Sequence, residues 1–497
     1  MRMADRPYYT DPPVLYNGCE TFGAKHGAAR RKDAEIVKVQ NPGRRVFCAA
    51  CFQSLVAVTL AGGGSPPAVA ASRSPKNPAA KRLYLPDEIW MVPKGNDFTD
   101  DRSEFSHQRK AESPNFALFW AKEYGSDPSL NSDPAKRFQV DAVLRECERF
   151  YDCYVHRLKF VESGHSVADK YKILVIVFGG DDGTAYGGAD GSLGKLWAPA
   201  VRISRPPYGA VAHELGHTFQ SFVHTDGAAG FSNTSHAIFE MTSQFMLWQV
   251  YPEWMTFENY HLVNYLKNTH LAFLHEANQY CSPYVLEYWS SRHGVDFVGK
   301  LWREARPGED PVMAYQRLTG LSQSQFNDEM FDAARRFITW DLKRIEKVAH
   351  PYANQHRSAL NPVEDGWYRI AESNCPQNYG YNGIRLKVPA AGTQVALNFK
   401  GVAGAPGFQA VHTERAGWRY GFLAVKQDGR RVYGPAFSDV SGVHQFTVPA
   451  QTAFLWLVVS GAPTEHWTHL TDKTAGEQWP YQIQLIGTSP DDTMIVH

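Results

Sequence analysis

His213-Glu214-Leu215-Gly216-His217, continued by Thr218-Phe219-Gln220, carries the strongest fold and chemistry signal in this 497-residue chain. Residues four apart lie on one face of a helix, so both imidazoles can reach a single ion. Val211, Leu215, Phe219 and Phe222 fall on the opposite side of the same helix and supply an apolar stripe for burial. Glu214 sits at the flank between these faces, where a carboxylate can take a proton from water. Two imidazoles with an adjacent base suit zinc-assisted hydrolysis, in which the ion is the Lewis acid and the carboxylate the proton acceptor. Two solvated or hydrogen-bonded helix histidines would give the same pentapeptide. The apolar stripe and an expected strand upstream favour the metal.

A catalytic zinc takes three protein ligands, and the pentapeptide supplies two. One known arrangement needs Gly three residues and His six residues beyond the second histidine; those positions hold Gln220 and Val223. His224 misses by one residue, a helix rotation of about 100°. The next expected helix, near residues 235–250, carries Phe239-Glu240-Met241-Thr242-Ser243-Gln244. Glu240 is the candidate third ligand, and Gln244, one turn on, is the candidate partner that would hold it by a hydrogen bond. Glu240 also fits an ordinary first-turn carboxylate favoured by the helix dipole. His236 is a weaker rival.

HELGHTFQ followed by FEMTSQFM resembles the gluzincin-type zinc metallopeptidases, and within them secreted families such as enhancin-like, mucin-degrading and hyicolysin-type enzymes. The likeness is specific over roughly residues 208–305 and architectural elsewhere, and Phe239 stands where Trp is frequent. It implies a zincin-like catalytic domain and one zinc per chain. His213, His217 and Glu240 would be its ligands, and Glu214 the general base. It also implies an edge strand within residues 194–203 that pairs with an extended substrate, with Gly-rich residues 185–194 as its rim. A Tyr or His from the helical half would stabilise the oxyanion; Tyr260, His261, Tyr280 and Tyr284 are available.

Working outward, Lys172–Phe178 is a continuous β-branched run, as expected of a strand covered on both faces. Helical periodicity is read over residues 116–124 and 134–160, and further helices are expected at 283–292, 295–305 and 322–345. Ser322-Gln323-Ser324-Gln325 has a capping-box pattern, and Gly294 suits a helix C-terminus. After Asn361 the texture changes to short alternating segments separated by Gly, Pro and Asp. Asp428-Gly429 between two of them is a hairpin signal. The expectation is an α/β (α+β) catalytic domain over 85–350, a linker at 351–364, and an all-β sandwich over 365–497 able to fold alone. Trp418, Tyr420, Trp467 and Trp479 would then be divided between its core and a contact surface.

Upstream, residues 1–43 are polar and read as a disordered extension. Arg44-Arg45, the apolar run Val46–Leu60 and Ala68-Val69-Ala70 stand in the order of a secretory signal, over 44–71, with a linker at 72–84. Its distance from residue 1 implies a downstream start or a long leading segment; a short buried helix or a single membrane anchor is the alternative. Export would leave Cys147, Cys153, Cys281 and Cys375, an even number suited to disulfides. Cys48 and Cys51 form a CxxC without a partner pair.

The 51 basic and 51 acidic residues cancel, which gives no electrostatic case for nucleic acid. The expected protein is therefore a secreted or periplasmic zinc peptidase acting on protein or glycoprotein, with no membrane span in its mature form. A non-catalytic surface or glycan-binding protein built on an inactive peptidase domain, and a zinc hydrolase of non-peptide bonds, are the alternatives.

Overall fold

The computed structural model describes residues 80–180, 182–231, 237–467 and 476–496. The expected signal segment and the CxxC lie outside these residues. The first sheet has the order β1-β2-β3-β5-β4, from β1 (Lys110–Glu112), β2 (Phe116–Trp120), β3 (Ile173–Val177), β4 (Tyr186–Asp190) and β5 (Leu193–Trp197). β2, β3 and β5 are parallel, and antiparallel β1 and β4 form the two edges. The run at 172–178 is the central strand, all five residues of β3 being buried.

Phe116–Trp120 is a strand rather than the expected helix. Its five residues are all buried, and so short an apolar run pairs readily between two neighbours. The strand expected within residues 194–203 is split. β5 ends at Trp197, and Pro199 opens the short helix α2 (Ala200–Ile203), which follows α1 (Val140–Asp152) in the chain. The segment read as a Gly-rich rim folds as β4, so this strand, and not residues 194–203, is the edge of the sheet.

Helix α3 (Gly209–Thr225) carries the quoted motif, with Val211, Leu215, Phe219 and Phe222 all buried. After it come α4 (Ala237–Val250), α5 (Trp254–Phe257), α6 (Tyr260–Lys267), α7 (Tyr284–His293), α8 (Phe297–Arg303), α9 (Pro311–Thr319) and α10 (Gln323–Phe337). The Ser322/Gln325 capping box forms at the start of α10, but the helix ends at Phe337, short of the expected 345. Gly294 closes α7 with φ +110°.

The C-terminal strands build two antiparallel sheets. One runs β12 (Ser441–Thr447), β9 (Gln394–Gly401), β14 (Tyr481–Ile486), β7 (Trp367–Ile370), β6 (Leu360–Pro362). The other runs β11 (Arg431–Tyr433), β10 (Trp418–Lys426), β13 (Thr452–Gly461), β8 (Tyr381–Leu386). Alternation along β10 sends Trp418, Tyr420, Phe422 and Ala424 into the core between the sheets. Leu423 and Val425 point the other way, into the core of the helical half, joined by Trp456 and Val458 of β13. Polar ties reinforce the seam, among them Arg419 with Asp328 at 2.6 Å and Asn327 donating to the Pro463 carbonyl at 2.8 Å.

The four-stranded sheet is thus buried on both faces, and residues 365–497 share a core with the helical half. Trp418, Tyr420 and Trp479 are buried, so they serve packing. Cys147, Cys153, Cys281 and Cys375 are buried free thiols, contrary to the disulfide expectation; no disulfide occurs among the described residues. No helix among those residues is long and apolar enough to cross a membrane.

The shared core predicts a single cooperative unfolding transition for residues 80–497. Trp456→Ala, emptying a fully buried site, should cost about 3–5 kcal/mol and lower that transition as a whole. Calorimetry showing two separate transitions, with only one moved by the variant, would contradict it.

Candidate metal centre

Gly216 brings the two halves of the site together. A Cβ at this position would meet the Ser243 Oγ at 2.8 Å and its Cα at 3.2 Å, so glycine lets α3 and α4 approach to backbone distance. Gln220 then ties them, its Nε2 donating to the Phe239 carbonyl (2.9 Å) and to Ser243 Oγ (3.1 Å). From the far side, Trp302 Nε1 donates to Thr242 Oγ1 at 3.0 Å, and its ring meets Phe239 edge-on at 5.0 Å. Helix α4 is therefore buried nearly all round, and Glu240 is held 3% exposed in a wall of packed side chains.

This packing places Glu240 Oε2 at 3.0 Å from His213 Nε2 and 3.4 Å from His217 Nε2. One ligand atom from each of the three residues lies within 4.8 Å of the others. Tetrahedral ligands at zinc-ligand distances of about 2.0–2.1 Å sit roughly 3.3 Å apart, so the spacing of this donor set fits zinc. Among the described residues no other group of three such side chains clusters in this way.

Gln220 also sets the imidazole tautomer. Its Nε2 faces the Phe239 carbonyl, which only accepts, so its Oε1 must accept from His217 Nδ1 at 3.1 Å. With the proton on Nδ1, Nε2 presents its lone pair to an ion. Sequence reasoning assigned the supporting role to Gln244 instead. That residue is buried with its Oε1 unpartnered, and no hydrogen bond joins it to Glu240. The overlooked signal was the i,i+3 step from His217 to Gln220 on the same helix face.

Charge is concentrated here. Burial disfavours a charged His217, yet the Glu240 carboxylate outweighs it and raises the imidazole to about 9. Burial likewise opposes an ionised Glu240, but His217 and His213 hold it well below the usual carboxylate range. A proton and a metal cation thus compete for the same nitrogen, and metal affinity falls as pH falls. Glu214 is half-buried, and that burial raises its pKa.

Edge strand β4 lies flush on α3. A Cβ at Gly187 would fall 1.9 Å from the Glu214 carbonyl oxygen, so only glycine fits. Of the aromatic candidates, Tyr280 is nearest, its ring stacked 6.3 Å from that of His213. His261 stacks on Tyr280 at 5.9 Å and pairs with Glu258 at 3.7 Å; Tyr260 lies over His261 and is 46% exposed. Tyr284 is fully buried among Trp248, Tyr265 and Trp340, which removes it from the site. His224 is exposed in the last turn of α3, outside the cluster, and His236 lies outside the described residues.

Gln220→Ala should weaken zinc binding by about 10–100-fold without loss of helix content. Chelator competition and far-UV circular dichroism check this, and unchanged affinity would remove Gln220 from the ligand support. Gly187→Ala should lift β4 from α3 and leave zinc stoichiometry intact.

No curated protein matches the chain. Among solved structures it is similar to the M60 catalytic domain with two CBM51 domains of ZmpB from Clostridium perfringens, at 10% identity and a TM-score of 0.29. That match covers 78% of this chain and 60% of the other. A family model described as a family of unknown function, DUF6055, matches residues 75–492, and the chain belongs to that family.

Proposed function

We propose that the chain is a secreted zinc-dependent peptidase. The observation that carries this reading is the convergence of His213, His217 and Glu240 on one point, with Glu214 beside them on the same helix. When bound, zinc supplies Lewis acidity and lowers the pKa of water at the site. His213 and His217 offer imidazole nitrogens and Glu240 a carboxylate oxygen as its ligands. Gln220 keeps the His217 proton on Nδ1. Glu214 takes a proton from the attacking water on its carboxylate and returns it to the leaving amine.

Peptide bonds are favoured over other scissile groups by β4. Its outer edge has no strand partner among the described residues, and an extended polypeptide can pair with it across from Glu214. Tyr280 is the proposed oxyanion partner, because it alone of the aromatic candidates stacks directly on a ligand imidazole. The expected substrate is protein or glycoprotein.

Glu214→Gln should retain about one zinc per chain and lose nearly all turnover, since it removes a base and no ligand. Glu240→Ala should give nearly metal-free, inactive protein that still folds, whereas His224→Ala binds zinc normally. Metal analysis beside a peptide-library assay checks all three. Stoichiometric zinc in Glu240→Ala would sink the ligand assignment, and full activity in Glu214→Gln the mechanism.

A further inference from the structure

Helix α2 (Ala200–Ile203) packs against α3, and it carries an exposed arginine, Arg202. Arg202 Nε donates to the Gly183 carbonyl at 2.6 Å. Gly183 lies three residues before β4, so this bond anchors the guanidinium at the N-terminal end of the edge strand. Among the described residues its terminal nitrogens make no hydrogen bond and Arg202 forms no ion pair, although Asp182 is exposed next to Gly183. Arg344 and Arg317 of this half are engaged in ion pairs, with Glu287 and Glu309 respectively. Four residues beyond Gly183, Gly187 of β4 rests against the Glu214 carbonyl.

A guanidinium held through Nε keeps its two terminal nitrogens as a planar fork, the geometry that receives a carboxylate through parallel hydrogen bonds. An extended chain pairing with β4 would pass this fork before reaching the catalytic carboxylate. We propose that Arg202 is a specificity-determining residue that receives a substrate carboxylate near the scissile bond. This rests on the peptidase reading and adds a substrate class to it: acidic polypeptides. The carboxylate can come from an Asp or Glu side chain or from a chain terminus.

The test uses the zinc-loaded full chain with peptide pairs that differ only as Glu against Gln at each position flanking the cleaved bond. A second set differs only in a free or amidated C-terminus. Wild type should favour the acidic member of one set by at least about threefold in kcat/KM. A preference confined to the first set identifies a side chain as the source, and one confined to the second identifies the terminus. Arg202→Gln should bring that ratio to about one, and Arg202→Glu should invert it in favour of Lys over Gln at the same position. A ratio near one in wild type, or one that survives in Arg202→Gln, overturns the proposal while leaving the peptidase reading intact. If no peptide is cleaved, the peptidase reading fails by itself. The same pairs are then compared by fluorescence anisotropy on Glu214→Gln protein. Tighter binding of the acidic member that is lost on adding Arg202→Gln sustains the carboxylate site, and equal binding overturns it.

Discussion

The close contact of α3 with α4 is the constraint from which the site follows. Glu240 is a nearly buried carboxylate, and burying a charge is costly unless it is paired. Here the pairing comes from two imidazoles on the neighbouring helix, and it is possible only because Gly216 and Ser243 let the helix backbones approach. Gln220 spans the same seam with three hydrogen bonds, one to His217 and two to α4. Packing and chemistry are thus supported by the same few side chains. A larger residue at position 216 would move the carboxylate away from the histidines before it touched either of them.

A second close approach, of β4 on α3, sets the motif-bearing helix beside an open strand edge. Gly187 rests against the Glu214 carbonyl, so strand and Glu214 are in register by steric contact. Edge strands that remain open are commonly protected or used. Beside this one stand a carboxylate whose pKa is raised by burial and an arginine whose terminal nitrogens have no partner among the described residues.

The β half is structural as well as appended. Its four-stranded sheet is apolar on both faces, one closing a sandwich and the other closing the helical core over α10. This explains why the aromatics of that region are mostly interior. An all-β texture marks strands, but it does not say whether the second face of a sheet is wet.

Local pattern alone determined the elements whose signal lies in consecutive residues: the amphipathic helix bearing His213 and His217, the buried strand at 173–177, the Ser322 capping box and the Asp428-Gly429 turn. Their periodicity or turn chemistry is a property of neighbours in the chain. It also singled out Glu240, though only through its place in a following helix and by resemblance. What the tertiary structure decided were relations between distant residues. Phe116–Trp120 became a strand because neighbours on both sides took up its backbone groups, and β4 became the edge because β5 already had β3 as its other partner. Gln220 rather than Gln244 bonds His217, and of the four open aromatic candidates Tyr284 is enclosed by aromatic rings while Tyr280 lies beside His213. Such choices depend on distances between elements far apart in sequence, which side-chain volume and backbone approach set only once the chain has packed.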